Sequence, residues 1–247
     1  AFAARHRVTR LLVPPSICER MAETAVPSGI HAIFTGGGPV FPDVLQRLKE
    51  KSPEARITAV YGSTEAEPVA HVEVSEICED DWRAMRDGQG LLAGQPVPQV
   101  RLRLVADEIV VTGGHVNKGY MDPTRDATTK LSLGGEIWHR TGDAGRLDDR
   151  GRLWLLGRLD GAAGGLHPFC VEAAARFWPG VGRAALLGID GDPVLALEGD
   201  AAHRAGWERS AAEIGISRVV VLARIPLDRR HRSKVDYAAL RAALARN

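Results

Sequence analysis

Cysteine is scarce. Cys18, Cys78 and Cys170 are three in all, an odd number with no C-x-x-C spacing; this excludes a disulfide framework or a zinc ribbon and points to a reducing cytoplasm. Lysine is rare beside arginine, five residues against 27, and the basic residues are scattered rather than clustered. With 31 acidic residues the formal net charge is only +1, and aromatics make up 5% of the chain. A basic, aromatic-interleaved nucleic-acid surface is therefore excluded. No apolar run approaches the ~18 residues of a transmembrane helix, and the first ten residues hold no apolar stretch of a secretory signal. An initiator methionine is also lacking: Arg5, His6 and Arg7 run directly into the strand-like Val8–Val13, as though an earlier core had been cut away.

What remains is 247 residues, 45% hydrophobic and 26% charged, enough for one large or two modest globular domains. The first third alternates strand and helix, with His31–Thr35 extended, Asp43–Lys51 helical and Arg56–Tyr61 extended. That pattern predicts two buried parallel strands around a helix that turns Val44, Leu45 and Leu48 inward. After about Gly90 short strands broken by turn residues follow (Gln99–Val105, Glu108–Thr112, Glu136–Arg140, Arg152–Gly157), and they predict an antiparallel barrel or sheet. Ala106-Asp107 and Asp148–Gly151 are its hairpin turns. Gly161–Gly165 reads as a hinge or linker. Beyond it lies a small α/β unit, with helices at Val171–Phe177, Ala201–Ile214 and from Val235, and strands at Arg183–Ile189, Pro193–Glu198 and Arg218–Ala223.

Five segments carry chemistry. Gly36-Gly37-Gly38-Pro39 follows a strand, where absent side chains let a flat ligand lie on bare peptide; a tight βα turn would use the same residues. Tyr61-Gly62-Ser63-Thr64-Glu65 ends the next strand, where open α/β sheets place ligands. Its ring can stack on a base, Thr64 can donate to a phosphate, and Glu65 can hold Mg²⁺; a polar loop with Thr64 as a helix cap is the plain alternative. Asp143, after Arg140-Thr141-Gly142, can accept hydrogen bonds from both hydroxyls of a ribose, or simply close a turn. Arg158 and Asp160, at the edge of the linker, offer a sugar or phosphate contact and a pivot, or a surface ion pair. Lys234, in the basic run Asp228–Asp236, can swing onto a distant phosphate as a point charge, or belong to a solvated face.

In this order and spacing the five segments resemble the later core motifs of the adenylate-forming superfamily of acyl-CoA synthetases, peptide-synthetase adenylation domains and luciferases. The resemblance implies the C-terminal half of such an enzyme. Residues 1–159 would be the end of the large AMP-binding domain, an α/β part to 89 and a barrel-like part from 90, and residues 160–247 a mobile lid. It further implies ATP and Mg²⁺ as cofactors and a carboxylic acid, fatty or 3-hydroxy fatty, as substrate. Gly36, Gly37, Gly38 and Pro39 would line the adenine and acyl pocket, Tyr61 would pack on the adenine, and Gly62 and Ser63 would also bind the nucleotide. Thr64 would touch the α-phosphate, Glu65 would hold the metal, Asp143 and Arg158 the ribose, Asp160 the hinge, and Lys234 the catalytic charge. Glu108–Gly113 and Lys118-Gly119-Tyr120 match the segments between these sites.

Two departures stand out: the stretch after Asp160 is shortened to Gly161-Ala162-Ala163, and Ser233 replaces the usual glycine before the lysine. Pro168–Ala173 and Arg230–Asp236 instead resemble the β-lactone synthetases of long-chain olefin biosynthesis. A route to a CoA thioester stays open beside the lactone. The superfamily's Ser/Thr/Gly-rich phosphate loop is found nowhere in these residues. Without the missing half that carries it, the chain would bind AMP but not activate ATP, so a non-catalytic nucleotide-binding module is a separate reading. An unrelated two-domain α/β protein with chance matches is a third.

Overall fold

A computed structural model of the chain describes residues 2–230 and 232–245. Ala1, His231, Arg246 and Asn247, which the sequence reading includes in its end segments and basic run, lie outside the described residues. After a short helix α1 (Phe2–Arg5), three parallel strands, β1 (Arg10–Val13), β2 (Ala32–Gly36) and β3 (Arg56–Ser63), are joined by α2 (Pro15–Glu23) and α3 (Pro42–Lys51). Pro42 opens α3, where its missing N–H costs nothing, and Val44, Leu45 and Leu48 pack with Ile33, Ile57 and Met21 beneath the sheet. α2 and α3 cover this face. On the other, Leu12 pairs with Phe34 across β1 and β2, and the two are 81% and 37% exposed.

No helix directly follows Ser63. The chain turns back into β4 (Ala66–Glu73), antiparallel to β3, so Thr64 and Glu65 sit in a hairpin turn and Thr64 caps nothing. Then come α4 (Glu79–Arg86) and β5 (Leu91–Pro96), β6 (Val100–Val105), β7 (Glu108–Gly113), α5 (Asp126–Thr129), β8 (Lys130–Leu133), β9 (Glu136–Leu147) and β10 (Leu153–Arg158). The ladder β1-β2-β3-β4-β5-β10-β9-β7-β6 runs unbroken past residue 90, with β8 added on β9. Ala106 and Asp107 both take positive φ, 48° and 66°, which matches the twist of a two-residue hairpin. The strand expected to end at Arg140 continues to Leu147. Its register against β7 jumps between Val110↔Arg140 and Glu108↔Ala144, so residues 141–143 bulge from the ladder.

The C-terminal unit holds α6 (Pro168–Ala175), β11 (Val181–Ile189), β12 (Asp192–Gly199), α7 (Arg204–Glu213), β13 (Arg218–Leu222) and α8 (Tyr237–Leu244). β11 alternates strictly: Ala184 and Leu186 pack under α6 and α7 with Trp207, while Ala185 and Leu187 pack under α8 with Leu240 and Leu244. α6 starts three residues earlier than the apolar pattern suggested, because Pro168 supplies its first turn. α8 starts two residues later, because Val235 pairs with Leu227 and Asp236 caps the helix, accepting the Ala239 N–H at 3.0 Å. The expected helix from Ala201 to Ile214 splits into a 3₁₀ turn (Ala201–His203) and α7. The Gly161–Gly165 stretch is folded, with Asp160 in a 3₁₀ turn and Ala163 bridged to Leu166.

Candidate active site

The C-terminal ends of β2, β3 and β10, the β9 bulge and the loop before α8 converge on one cavity of about 1100 Å³. Gly37, Gly38, Pro39, Tyr61, Gly62, Ser63, Thr64, Glu65, Asp143, Arg158, Asp160 and Lys234 all line it. Gly36 does not. It is a strand residue, and a Cβ there would lie 2.5 Å from the Val60 carbonyl oxygen, so glycine is required by sheet packing.

The bulge is built around a buried carboxylate that sequence reasoning did not single out. Glu108 accepts the Gly142 N–H at 3.0 Å and the Arg140 Nε–H at 2.8 Å. Gly142 has φ +70°, and a Cβ on it would lie 2.6 Å from the Arg158 guanidinium. Glycine there lets Arg158 lie across the turn and donate to the Thr141 carbonyl at 2.7 Å and to Asp143 Oδ1 at 3.2 Å. The Tyr61 hydroxyl donates to Asp143 Oδ2 at 2.8 Å. Each Asp143 oxygen thus holds one protein donor and keeps acceptor capacity for a ligand diol. Burial raises the Asp143 pKa, against the opposing pull of Tyr61, Arg158 and the more distant Lys234. Burial, then the charge of Asp143, pushes the Tyr61 phenol up.

Glu65 sits in the β3–β4 turn, where its carbonyl accepts the Asn117 N–H at 2.7 Å and Tyr120 donates to its Oε1 at 2.7 Å. Burial works to raise its pKa, but the Tyr120 hydroxyl and a backbone N–H outweigh it, so the carboxyl is held below its ordinary value. Nearby, Ser63 Oγ is buried with no other hydrogen-bond partner among the described residues, and its hydroxyl helps to lower the Glu65 pKa. Among the described residues no three His, Cys, Asp or Glu side chains cluster as a metal cage. An ionised carboxylate beside a serine hydroxyl fits Mg²⁺, which takes one or two protein carboxylates and fills its shell with phosphate oxygens and water.

Lys234 lies on a hairpin closed by Asp228. One carboxylate oxygen accepts the N–H groups of Ser233 and Lys234, both at 2.9 Å, and Arg232 takes the left-handed conformation, φ 52°. The Lys234 side chain is exposed toward the cavity, and its Nζ has no hydrogen-bonded or ion-paired partner among the described residues. The C-terminal wall adds Glu172 and Tyr237, to which the sequence reading gives no role. Burial pushes the Glu172 carboxyl up to about 8. A glutamate inside the apolar helix Pro168–Ala175 was the available signal.

The sequence profile of the family described as "AMP-binding enzyme" matches residues 1–121. An olefin beta-lactone synthetase of Stenotrophomonas maltophilia (strain K279a) is 30% identical over 277 residues, covering 94% of this chain and 50% of that protein. The crystal structure of IdnL7 superposes with a TM-score of 0.82 at 22% identity, over 99% of this chain and 52% of the other, a likeness of fold alone. The O-succinylbenzoate coenzyme A synthetase (MenE) from Bacillus subtilis, solved with ATP and magnesium ion, superposes at 0.72 with 25% identity, over 97% and 52%. These likenesses, joined to the convergence of five motifs on one cavity, place the chain in the AMP-binding family of adenylate-forming enzymes, of whose length it spans about half.

Proposed function

We propose that this chain forms the nucleotide-holding and lid part of an ATP-dependent, AMP-forming enzyme that activates a carboxylic acid, most specifically a 3-hydroxy fatty acid. Residues 1–159 hold the nucleotide and residues 160–247 move about Asp160. A single observation carries the proposal: the exposed Lys234 side chain and the Tyr61–Asp143–Arg158 triad face one cavity. Asp143 accepts the two ribose hydroxyls, Arg158 steadies it, Tyr61 packs on the base, and Gly37–Pro39 with Gly62 leave room for the ring. Thr64 donates to the α-phosphate. Glu65 would hold Mg²⁺, which when bound would supply charge neutralisation on the phosphates. The substrate carboxylate attacks the α-phosphorus, the bond to the β-phosphate breaks, and pyrophosphate leaves. Lys234 neutralises charge on both the attacking carboxylate and the α-phosphoryl oxygens.

The substrate's own 3-hydroxyl then attacks the activated carbonyl, its proton is lost, and AMP departs, closing a β-lactone. The S. maltophilia relative supports this branch; the B. subtilis coenzyme A synthetase supports transfer to a thiol as the second reading. The chain spans half the length of the first and has no phosphate loop. Its exposed Leu12–Phe34 pair across β1 and β2 fits a protein in which further structure packs there. ATP turnover is accordingly assigned to the polypeptide that also supplies that part, and AMP binding to this chain. Incubating that polypeptide with ATP and a 3-hydroxyacyl acid, with and without coenzyme A, separates the branches. The lactone without added thiol is expected; an acyl-CoA product and no lactone would rule this branch out.

A further inference from the structure

The C-terminal unit meets the large sheet through side chains that the proposed chemistry does not use. Arg176, at the end of α6, is only 3% exposed, and its guanidinium lies 4.6 Å from the Phe41 ring centroid. It donates to Asp43 on α3 at 2.7 and 3.1 Å and to Glu19 on α2 at 3.2 Å. Arg183 on β11 reaches the other Glu19 oxygen at 2.8 Å. At a second point Ser233, the residue before Lys234, accepts the Ser16 N–H at 3.3 Å through its Oγ. Ser233 also fills the space left by a glycine, since a Cβ on Gly38 would lie 2.9 Å from its own.

Both points converge on α2. Ser16 and Glu19 are three residues apart and so share one face of that helix. The Pro14 N-cap offers no side-chain acceptor, so the Ser233 hydroxyl satisfies one of the free N–H groups of the first turn from across the cavity. Separating the units would strip Arg176 of both carboxylates and uncover Phe41, Ala173 and Phe169, which pack together between them.

We infer that Ser233 and Arg176 are positioning residues, which hold Lys234 over the cavity by bracketing the C-terminal unit to Ser16, Glu19 and Asp43. The inference rests on the adenylation reading of Lys234. Ser233, which departs from the family's glycine, thereby gains a purpose: its hydroxyl docks the lysine hairpin.

The test is acid-dependent ATP–pyrophosphate exchange by the complete enzyme carrying Ser233→Ala, Ser233→Thr, Arg176→Ala or Lys234→Ala, with trypsin cleavage of the 229–234 loop as a readout independent of activity. Ser233→Ala and Arg176→Ala are expected to lower kcat roughly 10- to 100-fold, as misplacing a catalytic group does. The KM for ATP and acid should stay within about twofold, since the effect assigned to these residues is on the placement of Lys234. Cleavage of the loop should quicken, and Ser233→Thr, which keeps the hydroxyl, should restore kcat. Should Arg176→Ala fail to fold, the Ser233 pair decides. Full exchange and unchanged cleavage in Ser233→Ala, with exchange lost in Lys234→Ala, would overturn the inference and leave the adenylation reading standing. Absence of exchange in the unaltered enzyme would overturn both.

Discussion

Glu172 gives the fold a pH dependence that can be worked out in advance. Its carboxyl is 2% exposed and accepts the Leu186 N–H at 3.0 Å and the Tyr237 hydroxyl at 3.1 Å through one oxygen. Burial lifts its pKa from the ordinary 4.5 to about 8, against the pull of those donors and of Arg176 and Arg183. Between those two values the folded chain keeps a proton that the unfolded chain has released. Stability from this group is therefore complete below pH 4.5 and declines as pH rises towards 8. At 1.36 kcal/mol per unit the full loss is at most roughly 5 kcal/mol, comparable to a whole domain's margin. Glu172→Gln keeps the acceptor and mimics the protonated acid, so it should remove this slope. Urea unfolding at pH 5.5, 7 and 8.5, followed by the fluorescence of Trp178 and Trp207 in the same core, measures it. The glutamine variant should gain on the parent by up to about 1.4 kcal/mol per pH unit. Parallel stability profiles for the two proteins would refute the assignment.

Other perturbations test other parts of the site. Asp143→Ala removes the acceptor assigned to the ribose diol. Hydrogen bonds to a charged group contribute about 1.5–3 kcal/mol each, so AMP affinity by calorimetry should fall by roughly 10-fold or more; unchanged affinity would exclude the role. Gly38→Ala places a methyl group 2.9 Å from Ser233, and should depress pyrophosphate exchange while AMP still binds. Asp81 is paired bidentately with Arg152 at 2.8 and 2.6 Å, which holds its carboxyl at about 2, below the ordinary 3.8. Its contribution is present above pH 3.8 and lost as pH falls to 2, about 2–3 kcal/mol. Asp81→Asn should show that loss already at neutral pH in thermal melts, with a flatter acid limb.

The sequence made β2, α3 and β3 legible because their apolar runs and the Val44–Leu45–Leu48 stripe report burial directly. The C-terminal unit was legible for the same reason, to within two or three residues at its helix starts. α2 and α4 stayed hidden: α2 opens on two prolines, and α4 sets Trp82, Ala84 and Met85 among charged neighbours. β4 stayed hidden because Glu67, Pro68 and His71 interrupt any apolar run. At the site, glycines and carboxylates in strand-end segments announced themselves, and the structure gathers all but Gly36 around one cavity. The partners that hold them did not. Tyr61 lies 82 positions from Asp143, and Arg176 lies 133 from Asp43; contacts at such separation leave no local pattern to read.

The central claim is that Lys234 acts on an acyl-phosphate bond formed beside Asp143. Its most direct test is ATP–pyrophosphate exchange by the polypeptide that joins this chain to a phosphate loop, with and without carboxylic acid, and with Lys234→Ala. Exchange should require the acid and should fall by about 100-fold or more in the variant, as loss of a preorganised charge at the reacting phosphate does. Exchange undiminished in Lys234→Ala, or independent of the acid, would contradict it.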